Sequence, residues 1–87
     1  MRFPRRRLST WEVRVHLSGR VSAARIEGVL APNCHRVWLV GLSQDDGTSM
    51  TLGIEAPRQF DLDAATAALR AEGAESVQWE SAGQLEE

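Results

Sequence analysis

Trp11-Glu12-Val13-Arg14-Val15-His16-Leu17 is the stretch that decides the fold. In an extended chain successive side chains point to opposite faces, so Trp11, Val13, Val15 and Leu17 fall on one side and Glu12, Arg14 and His16 on the other. That alternation is the mark of a strand with one buried face. Ser18-Gly19-Arg20 follows as a tight connection, and Ser22 is placed to cap a helix. Ala23, Ile26 and Leu30 then share one helical face, and Pro32 stops the helix because its ring clashes with the preceding turn.

Further along, His35-Arg36-Val37-Trp38-Leu39-Val40-Gly41-Leu42 has the β-branched and aromatic content of a second strand. It is apolar on both faces, with Val37 and Leu39 opposed to Trp38, Val40 and Leu42, so it predicts cover on both sides. Asp46-Gly47 signals a hairpin, since the favoured turns need positive φ. Met50, Leu52, Ile54 and Ala56 then alternate in a third strand that Pro57 ends. Asp61 caps a second helix, with Phe60 as a staple in front and Gly73 closing behind; Leu62, Ala65 and Leu69 form its apolar face. Ser76-Val77-Gln78-Trp79-Glu80 makes the last strand. The order β-α-β-β-α-β with right-handed crossovers predicts an α+β fold, a four-stranded antiparallel sheet with both helices on one face, the ferredoxin-like arrangement. Residues 1–10 are expected to form a basic arm, 11–80 the domain and 81–87 a frayed acidic tail.

An 87-residue chain makes one domain that buries only about 60% of the surface its unfolded form exposes. Twelve acidic against ten basic residues argue against a nucleic-acid partner, which calls for a basic excess to neutralise phosphates. Arg2, Arg5, Arg6 and Arg7 are read as a solvated arm. One cysteine forms no internal disulfide, and no apolar run approaches the roughly 20 residues of a membrane span, so the expectation is a cytoplasmic protein without a membrane partner. Cys34-His35 lacks the further soft ligands of a closed metal site, and Asp45-Asp46-Gly47 lacks the spacing of a calcium loop. No cofactor and no catalytic residue is assigned. The third strand carries Met50, Leu52 and Ile54 where an RNA-recognition domain displays stacking aromatics.

Two resemblances bear on function. Val15-His16-Leu17-Ser18-Gly19-Arg20-Val21 resembles the opening of acylphosphatases, whose first loop cradles an acyl phosphate. The family's next arginine falls near Glu27 here, Arg25 is off register, and its water-orienting asparagine falls at Gly41. Ser22-Ala23-Ala24-Arg25-Ile26-Glu27-Gly28-Val29-Leu30-Ala31 and Thr51-Leu52-Gly53-Ile54-Glu55-Ala56-Pro57-Arg58, with Asp61 to Leu69 and Glu75-Ser76-Val77, resemble an ACT domain. The nearest variety is the small regulatory subunit of acetolactate synthase, an enzyme of branched-chain amino acid biosynthesis. This second resemblance covers the whole span from Trp11 to Trp79, and it implies allosteric regulation without catalysis. The implied partners are a second copy in a homodimer, a larger catalytic subunit, and a small amino acid. The implied ligand site is Ser18, Gly19, Arg20 and Val21 with Gly41, Arg20 holding a carboxylate. The usual Asp/Asn-x-Pro-Gly of that loop is Leu17-Ser18-Gly19 here, with no acidic or amide anchor for an amino group. Trp38, Val40 and Leu42 are expected to form the interface.

Overall fold

The computed structural model describes residues 8–57 and 59–81. The arginines of the basic arm and most of the acidic tail lie outside the described residues. The elements run β1 (Leu8–Leu17), α1 (Ala23–Leu30), a 3-10 turn (Ala31–Asn33), β2 (Arg36–Ser43), β3 (Thr48–Pro57), α2 (Leu62–Ala71) and β4 (Ala74–Ser81). The sheet order is β2-β3-β1-β4, every adjacent pair antiparallel, which is the ferredoxin-like layout read from the sequence. β1 takes in Leu8 to Thr10, ahead of the alternating run, and β4 extends one residue past Glu80.

One face of the sheet carries the core. Val13, Val15 and Leu17 from β1 meet Met50, Leu52, Ile54 and Ala56 from β3, and α1 and α2 close over them with Ile26, Leu30, Ala65 and Leu69. The local signals act as the sequence implies. The Ser22 side chain accepts from the Arg25 N–H at 3.3 Å, and Asp61 Oδ1 accepts from the Ala64 N–H at 3.1 Å. Each bond satisfies one of the donors orphaned in the first turn of a helix. Gly73 takes φ +106° beyond α2, and Asp46 and Gly47 take φ +60° and +95° in the β2–β3 hairpin. Phe60 meets the Trp79 ring edge to face at 6.0 Å, and the Trp79 indole N–H donates to Thr66 Oγ1 at 2.8 Å. These contacts tie α2 to β4.

β2 departs from the expected pattern. Val37 pairs with Ile54 and Leu39 with Leu52, both on the core side, and Trp38 pairs with Gly53 on the open side. Between Leu39 and Gly41 the register shifts by a bulge, which leaves Val40 without a partner. A single extra residue reverses the faces of everything after it. Leu42 accordingly pairs with the buried Met50 and returns to the core side. The expectation that Trp38, Val40 and Leu42 share one face is corrected: the period-2 count fails at Val40. Leu39, Val40 and Leu42 remain 39%, 52% and 47% exposed at the sheet edge.

The open face of the sheet is polar, not the apolar patch that two-sided β2 implied. Its largest apolar side chain, Trp38, lies flat over Gly53, where an added Cβ would overlap the indole ring. The Arg36 guanidinium sits 5.2 Å from the same ring. Gly53 is therefore the floor that lets Trp38 cover itself without an outside partner.

Candidate functional site

The β1–α1 loop, the β2–β3 hairpin and the start of β4 meet at one end of the sheet. The loop is held there by a single hydroxyl. Thr48, at the first position of β3, is fully buried. Its Oγ1 donates to the Gly19 carbonyl at 2.6 Å and accepts the Val21 N–H at 3.3 Å. A buried hydroxyl is costly unless both its donor and acceptor capacities are used, and here both are spent on the same loop. Gly47 allows the approach from the other side: a Cβ on it would lie 2.6 Å from the Leu17 carbonyl oxygen, and its φ of +95° already excludes most side chains.

Around this loop lies an open cavity of about 500 Å³. Ser18, Gly19 and Arg20 line it, together with Gln44 and Asp46 of the hairpin and Glu75 of β4. The chain thus sets a guanidinium and two carboxylates around one hollow. The two carboxylates come from elements other than the first loop. His16, at the end of β1, stands at the cavity's rim.

The remaining expected site residues fall elsewhere. Val21 is half-buried against the core, and its N–H is taken by Thr48, so it stabilises the loop from inside. Gly41 lines a second depression of about 400 Å³ on the open sheet face, in company with Arg14, His16, Ser43, Ser49 and Thr51. The two hollows share only His16. Trp38 lies over Gly53, while Val40 and Leu42 sit along the exposed half of edge strand β2.

Arg25, the first loop's other nearby cation, is committed to structure. Its Nε donates to Glu72 Oε1 at 2.7 Å, which joins the start of α1 to the end of α2. Cys34 packs against the core, and burial pushes its thiol up from the ordinary value, whereas His35 is exposed. The two point apart, and among the described residues no group of three His, Cys, Asp or Glu side chains is placed to hold a metal ion. No helix of the described residues is long and apolar enough to cross a membrane.

Reading from sequence missed Thr48, Asp46 and Glu75. Thr48 had a signal: the alternation of Met50, Leu52 and Ile54, extended back by one step, puts a hydroxyl on the buried face. Asp46 and Glu75 had none, because they lie far from the first loop in the chain and only the topology joins them. Compared with known protein families the chain matches none, and no curated protein matches it either.

Proposed function

We propose that this chain is a small regulatory and interaction module of the ACT kind, one that takes a free amino acid at the end of the sheet and docks a protein partner along β2. The observation that carries the ligand reading is the set of opposite charges that line the 500 Å³ cavity, Arg20 together with Asp46 and Glu75. A free amino acid is a zwitterion, and its carboxylate suits the planar fork of a guanidinium while its ammonium suits a carboxylate. The volume lies within the range of small-molecule pockets. In this role the module works in the cytoplasm, beside a biosynthetic enzyme whose product it senses, and a branched-chain amino acid is the first effector to try.

The docking reading rests on Leu39, Val40 and Leu42, the exposed large apolar side chains of the described residues, all within one edge strand. Edge strands carry unpaired backbone groups as well, and natural proteins rarely leave such an edge both apolar and uncovered. The occupant is a second copy of the chain or a larger catalytic subunit. An acyl-phosphate cradle has less support. The Val21 N–H is spent on Thr48 and the Arg25 guanidinium on Glu72, so two groups that a bound phosphate would need are already engaged.

Thermal shift and amide chemical-shift mapping with a panel of amino acids at millimolar concentration test the ligand reading. The expected result is stabilisation by mass action with perturbed signals at Gly19 and Gly47, lost in Arg20→Ala and weakened in Asp46→Asn or Glu75→Gln. A flat response across the panel refutes it. Hydrolysis of an acyl phosphate well above the uncatalysed rate, abolished in Arg20→Ala, would favour the enzyme instead.

A further inference from the structure

The open sheet face is ordered by charge, and the order follows from register. One cross-strand row runs Gly41, Thr51, Arg14, Gln78 from β2 to β4. The next runs Ser43, Ser49, His16, Ser76. Those two rows hold no carboxylate. Acidic residues flank them on both sides: Glu12 and Glu80 pair with each other across β1 and β4 one row further along, and Asp46 and Glu75 line the neighbouring cavity that His16 also borders.

The two rows are also hollow. The β2 bulge brings Gly41 opposite Thr51, and the serines and the threonine are short, so the long side chains Arg14 and His16 rise from a low surround. The resulting depression of about 400 Å³ presents hydroxyl, guanidinium and imidazole groups beside an apolar lining from Val15, Leu42 and Met50. His16 Nδ1 and Ser49 Oγ already share a hydrogen bond of 2.9 Å, which fixes the ring's orientation over β3. Arg14 has only a loose partner: its Nη2 is 3.8 Å from Glu80 Oε1, and both side chains are mostly exposed. Pairs of that kind are weak and exchange readily for a better acceptor.

We infer that this depression is a second binding site, adjoining the amino-acid cavity at His16 alone, and that it takes a phosphate group carried by a small molecule. A phosphate presents several acceptor oxygens at once. A guanidinium fork binds two of them, and the hydroxyls of neighbouring strands and the imidazole, which border the same depression, offer donors to the others. A carboxylate would satisfy Arg14 but leave the hydroxyl rows of β2 and β3 unused. The site does not depend on an amino acid binding at Arg20 or on a partner docking at β2.

The test is a titration of the full chain with inorganic phosphate, followed by amide chemical shifts at constant ionic strength, with chloride and acetate as controls. Saturable shifts at Gly41, Ser43, Ser49 and Thr51 are expected with phosphate alone. Arg14→Gln should raise the apparent Kd about tenfold or more, and His16→Gln should raise it as well. Arg14 is exposed and His16 half-buried on the open face, away from the core, so the variants are expected to keep the wild-type spectrum elsewhere. Arg20→Gln should leave phosphate binding unchanged while removing the amino-acid response, which separates failure of one site from failure of the other. The inference is overturned if phosphate acts no differently from chloride, if its shifts centre on Gly19 and Gln44, or if Arg14→Gln binds like wild type.

Discussion

Replacing Thr48 by valine isolates what one buried hydroxyl does for the candidate site. The two side chains have nearly the same shape, so core packing around β3 is kept and the hydroxyl is what disappears. With it go the 2.6 Å bond to the Gly19 carbonyl and the 3.3 Å bond from the Val21 N–H. Stranding a buried polar group costs about 1–3 kcal/mol. The outer side of the loop is exposed and water can reach part of it, so one such penalty is appropriate for the pair, about 2 kcal/mol. For a domain of this size that corresponds to a fall in Tm of about 8–16 °C. Thr48→Ser makes the opposite cut. It keeps the hydroxyl and loses a methyl, about 1 kcal/mol. Urea denaturation of the three proteins should therefore rank wild type above Thr48→Ser and Thr48→Ser above Thr48→Val. Hydrogen exchange at the Val21 amide should accelerate in Thr48→Val alone. If Thr48→Val is as stable as Thr48→Ser, or the Val21 amide stays protected without the hydroxyl, then Thr48 is only a filler of space and the loop is held by something else.

Further outcomes follow from single contacts. Gly53→Ala should push the Trp38 indole off the sheet and cost about 1–2 kcal/mol; its indole N–H signal and the Arg36 guanidinium signals should move together, and unmoved signals would mean that the ring never rested on Gly53. Arg25→Ala breaks the 2.7 Å link to Glu72, but the arginine is exposed, so the loss in a urea melt should be about 1 kcal/mol or less; a larger loss would give the inter-helix pair a weight that surface pairs do not have. Burial raises the Cys34 thiol above its ordinary value of 9.0, so the folded state disfavours the thiolate: stability is intact below that value and is lost as pH climbs through the folded value. Urea melts at rising alkaline pH should fall more steeply for wild type than for Cys34→Ala, and parallel curves would refute the assignment. Val40→Asp places a charge in the apolar edge of β2 and should turn a sedimenting dimer or complex into monomer; a wild-type chain that stays monomeric with every candidate partner would remove the docking proposal.

The elements were legible in the sequence because their signals are local. Ser22 and Asp61 cap helices, Asp46-Gly47 turns a hairpin and Gly73 ends α2 through interactions within a few residues, which a linear reading captures. The alternation of Trp11 to Leu17 and of Met50 to Ala56 survives in the structure because β1 and β3 are the two central strands, and any slip would have moved their apolar sets into water. β2 has no such restraint on its outer side. An apolar residue on either face of an edge strand changes little in the burial pattern, so nothing in the sequence marks Val40 as the bulged position, and the face assigned to Leu42 went wrong with it.

The candidate site divides along the same line. Ser18, Gly19 and Arg20 are neighbours in sequence, and a resemblance over one loop is enough to pick them out. The other groups around them come from elsewhere: Thr48 from the far side of the hairpin, Asp46 from its tip and Glu75 from the start of β4. In a β-α-β-β-α-β fold the end of β1, the β2–β3 hairpin and the entry to β4 share one end of the sheet, so side chains from all three connections border one hollow. Which side chains border that hollow is therefore set by the topology and not by the motif of any one loop.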